Sequence, residues 1–539
     1  MTEPALNTRP PDARNGPIAR LVAGEERFDV IVIGGGITGA GIAREAAGSG
    51  FGTLLVEQRD FAWGTSSRSS KMVHGGLRYL GSGQWRLARE SVRERQRLMA
   101  EAPGLIEPMQ FVMPHFHRQF PGPWLFQRLL WLYDLLAGTH HRRRLSPGEA
   151  NLWAPGLNTQ QLTGASVFTD AVTDDARLVL RALDEARTDG AICLNYVPAV
   201  SLRYDQDRVT GVVLRDAGPD GGTDQHFAVD AGLVVNATGA WADHLRDTST
   251  GPERIRPLRG SHLVLPFETL PVTCAVSLFH PKDRRPVFAF PWQGRTVLGT
   301  TDLDHPEPLD HEPAITAPEV DYLLAIAATL FPGRPVSREA VIACWAGVRP
   351  VVSRGTRRAP SRENREHCLW RSPGLISVAG GKLTTFRHIA REVLEKGAPY
   401  LPGRPLRRDD QPFFRAATRI PARPTGIGHD LWRRLQGFYG NNLNAVLDSG
   451  PTQTIADTGV LWAELCWAAQ GDVIHLDDLM FRRTRLGLTL PHGGSQLLPA
   501  IEHHCRTRLG WSLDRWRWET DRYLQIWTHA NALPAETTP

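Results

Sequence analysis

Gly34-Gly35-Gly36-Ile37-Thr38-Gly39 places glycines at GxGxxG spacing directly after the apolar run Phe28-Asp29-Val30-Ile31-Val32-Ile33. Gly34 permits a tight turn, Gly36 lets the backbone approach a pyrophosphate, and Gly39 allows close packing of the helix that follows. A helix starting there turns free N–H groups and a positive dipole end toward phosphates. Thr53-Leu54-Leu55-Val56 reads as the next strand, and Glu57 closes it 18 residues after Gly39, where a carboxylate accepts bonds from a ribose diol. This is dinucleotide chemistry, and the motif by itself does not separate FAD from NAD.

Two further glycine turns follow apolar strands. Leu233-Val234-Val235 runs into Asn236-Ala237-Thr238-Gly239, and Leu375–Ala379 runs into Gly380-Gly381-Lys382-Leu383-Thr384. Three backbone-rich turns around one sheet suit a long, permanently bound FAD better than an exchanging NAD.

The elements that must position these turns follow from the pattern of the chain. Strand, helix and strand between Phe28 and Glu57 form one βαβ unit with parallel strands. Alternating stretches such as Val209–Leu214 and Val287–Leu298 read as antiparallel strands. Pro and Arg are dense between Pro402 and Pro424, a linker composition, and helical stretches follow it. The expected organisation is a disordered tail over residues 1–27 and a discontinuous nucleotide-binding domain over 28–105, 165–250 and 340–400. A mostly antiparallel substrate or membrane-facing domain is expected over 106–164 and 251–339, and a C-terminal helical domain over 401–539.

Composition excludes other classes. Lys and Arg number 62 against 57 Asp and Glu, a surplus too small to argue for nucleic acid. The six cysteines are scattered, with no CxxC pair and no clustered metal ligands, so neither a disulfide framework nor a metal site is expected, and a reducing cytoplasmic setting fits. No run of 18 apolar residues is present, so membrane contact would be peripheral. One segment offers such contact. Pro123–Leu136 is an aromatic, leucine-rich helix with Leu125, Leu129, Leu132 and Leu136 on one face, followed by His140-His141-Arg142-Arg143-Arg144.

Thr65-Ser66-Ser67-Arg68-Ser69-Ser70-Lys71-Met72-Val73-His74-Gly75-Gly76-Leu77-Arg78-Tyr79-Leu80 closely resembles the flavin-dependent glycerol-3-phosphate dehydrogenases, as does Gly380-Gly381-Lys382-Leu383-Thr384-Thr385-Phe386-Arg387. Asp174–Leu178, Arg259–His262, Gly299–Asp302, Gly347–Pro350 and Arg482–Gly487 extend the resemblance in order along the chain. Two positions depart from the family pattern: Arg68 stands where a small residue is common, and Gly81 where an acidic one is.

The resemblance implies a fold of the glycine- and D-amino-acid-oxidase superfamily: α/β plus α, with a Rossmann-like FAD domain, an inserted antiparallel domain and a helical C-terminal domain. It implies oxidation of sn-glycerol 3-phosphate to dihydroxyacetone phosphate on the inner face of the cytoplasmic membrane, with ubiquinone or menaquinone as acceptor. Alternatives are an oxidase that uses oxygen, and an amine or amino-acid oxidase on the same fold. A homodimer stays open.

FAD would be held by Gly34, Gly36, Gly39, Glu57, Thr65, Ser66, His74, Gly75, Gly76, Ala237, Thr238, Gly239, Gly381, Lys382, Leu383 and Thr384. Substrate would meet Arg78, Tyr79, His262, Arg349, Arg362 and Lys382. Arg349 is the expected phosphate clamp, because a guanidinium fork matches phosphate oxygens. Arg362 is a second candidate, crowded by Arg357, Arg358 and Arg365. Arg78 or Lys382 would supply a cation beside reduced flavin. A neutral imidazole suits removal of the C2 hydroxyl proton, with His262 expected first and His74 second.

Overall fold

Phe28–Ile33 and Thr53–Val56 are short, β-branched and almost wholly buried, as strands covered on both faces must be. They pair in parallel, Val30 opposite Thr53 through Ile33 opposite Val56, across the buried crossover helix Ile37–Gly48. The computed structural model describes residues 14–77, 80, 83–218, 225–246, 254–353, 363 and 366–535.

These strands belong to an eight-stranded sheet. Its main path runs Cys368–Ser372, Leu375–Ala379, His226–Asn236, Phe28–Ile33, Thr53–Val56, Ile192–Leu194, with the antiparallel pair Ala199–Asp205 and Arg208–Arg215 extending from the first half of His226–Asn236. The three strands that end in glycine turns, Leu375–Ala379, His226–Asn236 and Phe28–Ile33, are parallel neighbours. All three turns therefore emerge together at the carboxyl edge, where open α/β sheets bind ligands.

A second, ten-stranded sheet is antiparallel except where Ala275–Phe279 runs parallel to Ile106–Phe116. Three of its strands lie wholly or mostly within the stretches expected for the nucleotide domain: the two-residue Met72–Val73 and two long ones. Leu162–Thr173 pairs with Ile106–Phe116, and Ala343–Ser353 pairs with Arg254–Pro266. Both are buried along most of their length, so the period-two alternation that would mark a half-exposed sheet is missing from their sequences.

The expected N-terminal tail is corrected as well. Asn15–Val22 is a helix whose Ile18 and Leu21 are buried against the outer face of the first sheet, beside Phe28 and Val229. Its apolar residues are spaced three apart within a polar segment, too short a pattern to signal a helix from sequence. Residues 401–428 are irregular, and from His429 the described chain is mostly helical, ending in the long helix Leu513–Ala530.

Buried charges join the C-terminal region to the first sheet. Asp60, at the end of the turn after Glu57, accepts Arg482 at 2.5 Å and both terminal nitrogens of Arg483 at 2.7 Å. Asp174 accepts Arg485 at 3.0 Å, and Asp175 takes both Arg485 and Lys71, the latter at 2.9 Å. Asp60→Ala leaves two buried guanidiniums without their shared carboxylate and is expected to cost about 3–5 kcal/mol. The measurement is the urea midpoint of the purified protein, and an unchanged midpoint would remove Asp60 from this structural role.

Candidate active site

The glycine turn after Phe28–Ile33 leaves no room for side chains. Gly34 has φ +114°, and a β-carbon there would sit 2.5 Å from the Ala237 carbonyl oxygen, so two of the three turns touch. A β-carbon on Gly39 would collide with the Gly34 carbonyl. Gly36 caps the Ile37–Gly48 helix in extended geometry, and the free N–H of Ile37 donates to Ser66 Oγ at 3.0 Å. Glu57 accepts the Gly35 N–H at 2.6 Å and the Arg59 N–H at 3.0 Å, which aims the carboxylate, and burial raises its pKa.

One short turn, Thr65–Ser67, connects this cradle to the second sheet. Ser66 faces the helix N-terminus, while Thr65 Oγ1 donates to the carbonyl of Val348, the residue before Arg349. Arg349 lies partly exposed on Ala343–Ser353. Its nitrogens reach Thr300 Oγ1 at 3.0 Å, Asp302 Oδ1 at 3.1 Å and the Thr301 carbonyl at 3.3 Å. Gly260 on the paired strand leaves space for the guanidinium, which a β-carbon would strike. The fork is thus oriented from one side by a strand-end turn.

The loop His74-Gly75-Gly76 is anchored at two points. The His74 carbonyl accepts from Thr384 Oγ1 at 3.1 Å, and the Gly75 N–H donates to Asp170 Oδ1 at 3.0 Å. Asp170 is itself held by Arg95 and by the Tyr133 hydroxyl at 2.5 Å. A β-carbon on Gly75 would run into that phenol. Gly380 and Gly381 both have positive φ, and Lys382 stands at the start of the Leu383–Thr385 turn with Nζ 3.4 Å from Ser91 Oγ. Cofactor and substrate candidates on three turns and two sheets are therefore brought to one face. Arg78, Tyr79 and Arg362 lie outside the described residues, as does Gly81.

A model of FAD dependent oxidoreductases matches residues 29–395, and one of the C-terminal domain of alpha-glycerophosphate oxidase matches residues 380–516. The chain is 33% identical to glycerol-3-phosphate dehydrogenase 2 of Mycobacterium bovis, over 93% of this chain and 89% of that one. It is 31% identical to the aerobic glycerol-3-phosphate dehydrogenase of Staphylococcus aureus, over 85% and 87%. The chain belongs to the glycerol-3-phosphate dehydrogenase family of FAD dependent oxidoreductases. The solved glycerol-3-phosphate dehydrogenase of Bacillus halodurans, in complex with FAD, superposes with a TM-score of 0.75 at 27% identity, covering 98% of this chain and all of that one.

His262, expected as the base that meets substrate, is enclosed in the structure. His262 is 1% exposed, stacked on Trp345 with ring centroids 4.7 Å apart, and backed by Gly299, where a β-carbon would strike the imidazole. Burial, reinforced by the positive charges of Arg349 and Lys71, drives its pKa well below 6.5. A sealed, weakly basic imidazole is a poor proton acceptor for a substrate. Its Nε2 lies 2.9 Å from the half-buried Ser70 Oγ. His74, half-buried in its anchored loop, is the more accessible of the two imidazoles.

Sequence reasoning missed Ser70, Lys71, Asp175 and the Arg95–Tyr133–Asp170 cluster. Ser70 and Lys71 sit inside the string that carries the family resemblance, which was the available signal. Lys71 is completely buried, between Asp175 and the rings of Trp345 and Trp292, and burial lowers its pKa to about 8. Arg68, the departure from the family pattern, stacks on Trp63 and pairs with Glu312, a partner remote in sequence. Gly39→Ala should strip at least about 90% of the bound flavin from an otherwise folded protein, because the third glycine admits no β-carbon. Flavin absorbance per polypeptide after purification measures this, and wild-type content would refute the cradle.

Proposed function

We propose that the protein oxidises sn-glycerol 3-phosphate to dihydroxyacetone phosphate with bound FAD and passes the electrons to a membrane quinone. The observation that carries this reading is Arg349: a partly exposed guanidinium beside the Thr65 turn, one turn away from the dinucleotide cradle. Its partners in Thr300 and Asp302 fix the fork, and a planar guanidinium matches the geometry of phosphate oxygens. FAD, when bound, supplies a two-electron acceptor for the hydride leaving C2.

The protein's own residues do the rest. Gly34, Gly36 and Gly39 with the Ile37 helix N-terminus hold the pyrophosphate, and Glu57 holds the adenosine ribose. Lys382 brings positive charge to the turn that meets the His74 loop. His74 accepts the proton of the C2 hydroxyl as hydride departs, and Ser70, oriented by His262, hydrogen-bonds the same substrate end.

Anaerobic bleaching of the flavin near about 450 nm on adding sn-glycerol 3-phosphate, with colour restored by a quinone analogue, tests substrate and acceptor together. Restoration by oxygen alone would replace quinone with oxygen, and failure to bleach would overturn the substrate assignment. His74→Asn should slow bleaching by about 10²–10⁴-fold, the usual contribution of a general base, while His262→Asn slows it about tenfold or less. The reverse order would return the role to His262.

The membrane assignment rests on the outer face of the Pro123–Ala137 helix. Phe126, Leu130 and Tyr133 face the core, and the exposed stripe is Trp124 (70% exposed), Leu125, Arg128, Trp131 (51%) and Leu135 (62%), which differs from the stripe expected from leucine spacing. Exposed His140, His141, Arg143 and Arg144 follow. Aromatic rings with a basic flank are the composition of an interfacial helix on anionic lipid. No helix of the described residues is long and apolar enough to cross a membrane. Sedimentation with vesicles containing anionic phospholipid should carry the protein down, and Trp124→Ser with Trp131→Ser should reduce the bound fraction. Equal binding by the double variant would exclude this face.

A further inference from the structure

A second cavity, of about 510 Å³, lies away from the dinucleotide cradle, where the helix Asp175–Thr188 and the edge strand Ile192–Leu194 meet the C-terminal helical region. Its wall includes Arg177, Arg187, Thr188, Asn442, Trp467 and Arg483, and none of the residues assigned above to FAD or substrate. Phe61 separates the two places: its ring lies 5.4 Å from the Arg187 guanidinium on one side, and on the other it packs against Gly35. The volume is that of small-molecule sites, about 300–1,000 Å³.

Arg177 makes this cavity chemically distinctive. It is 6% exposed, yet no carboxylate of the described residues lies within ion-pair distance, while every other buried arginine described has one. The one hydrogen bond of its guanidinium runs from Nη2 to the Arg483 carbonyl at 3.0 Å, and its Nε has no partner. The Tyr439 ring, 4.7 Å away, offsets only part of the cost of burying the cation. The two carboxylates on the cavity wall, Asp184 and Asp472, are both engaged with Arg187. Arg483 is taken by Asp60. A buried guanidinium with unused donors beside a roomy, partly polar cavity is matched by an oxyanion.

We propose that this cavity binds a small phosphate-bearing molecule, with Arg177 taking the phosphate oxygens, Thr188 and Asn442 as supplementary hydrogen-bonding groups, and Trp467 as the apolar wall. A ligand there bridges the nucleotide domain and the C-terminal helices, so it stabilises the folded holoenzyme in proportion to its occupancy.

The test is calorimetric titration of the FAD-loaded protein with inorganic pyrophosphate, alongside Arg177→Gln, Thr188→Glu and Arg349→Gln. Thr188 is exposed at the mouth, so its glutamate variant adds a repelling carboxylate without disturbing a core. Wild type and Arg349→Gln should bind one pyrophosphate per chain at this cavity. Arg177→Gln and Thr188→Glu should weaken it by at least about tenfold, the loss expected for a charge-assisted phosphate contact. Should Arg177→Gln fail to fold, Thr188→Glu carries the same comparison. Absence of binding to wild type at millimolar pyrophosphate overturns the proposal. So does binding lost in Arg349→Gln but kept in the other variants, which would place the anion in the substrate site.

Discussion

Asp60, Asp174 and Asp175 are buried carboxylates that the fold cannot tolerate alone, and the arginines that neutralise them, Arg482, Arg483 and Arg485, come from more than 300 residues further along the chain. Removing one partner from such a set leaves an uncompensated buried charge, the expensive case for an ion pair. The pairs therefore act as a registration device. Asp60 precedes the Thr65–Ser67 turn, and Lys71, which shares Asp175 with Arg485, follows it. Lys71 and Arg485 also donate to the Ser67 carbonyl, at 2.8 and 3.2 Å. The segment that touches both the dinucleotide cradle and the Arg349 strand is thus fixed at each end by charges whose partners lie in the C-terminal region. On this view the C-terminal helices are part of the site's support. Asn531, at the end of the last helix, adds a second tie: its carbonyl accepts the Cys344 N–H and its side-chain Nδ2 donates to the Cys344 carbonyl, each at 2.8 Å, next to Trp345.

The features legible in the sequence were those whose physics is local. GxGxxG reports a turn, a helix start and a close approach within six residues, and the φ of Gly34 and its contact with Ala237 obey that reading. The second and third glycine turns were legible for the same reason, since each ends an apolar strand. Their convergence followed from strand order, with Leu375–Ala379, His226–Asn236 and Phe28–Ile33 as neighbours. What local pattern does not carry is sheet membership. Leu162–Thr173 and Ala343–Ser353 are buried along most of their length, and only their pairing partners show that they complete the second sheet.

Charged groups were legible by type but not by partner. Arg95, Tyr133 and Asp170 sit on a helix, another helix and a strand, and nothing in their spacing shows that they converge under Gly75. His262 illustrates the same gap from the other direction. Its residue type suits proton transfer, yet usefulness depends on access, and a strand position flanked by Trp345 and Gly299 denies it access. Arg68 looked like an unexplained departure in sequence and is resolved by Trp63 and Glu312, one near and one remote.

The positive charges of the region have divided uses, and burial decides which. Lys71 and Arg485 are committed to Asp174, Asp175 and nearby backbone carbonyls without reaching an opening, and Lys71 adds to the burial that lowers the basicity of His262. Arg349 pairs with Asp302 and stays partly exposed, in contrast to the fully enclosed Lys71 and Arg485. Since an arginine cannot deprotonate to escape burial, its neighbours must balance it or a ligand must. Burial separates these cations better than sequence position does, because Arg349 and Arg485 both stand in strings that resemble the family, while only Arg349 is partly exposed.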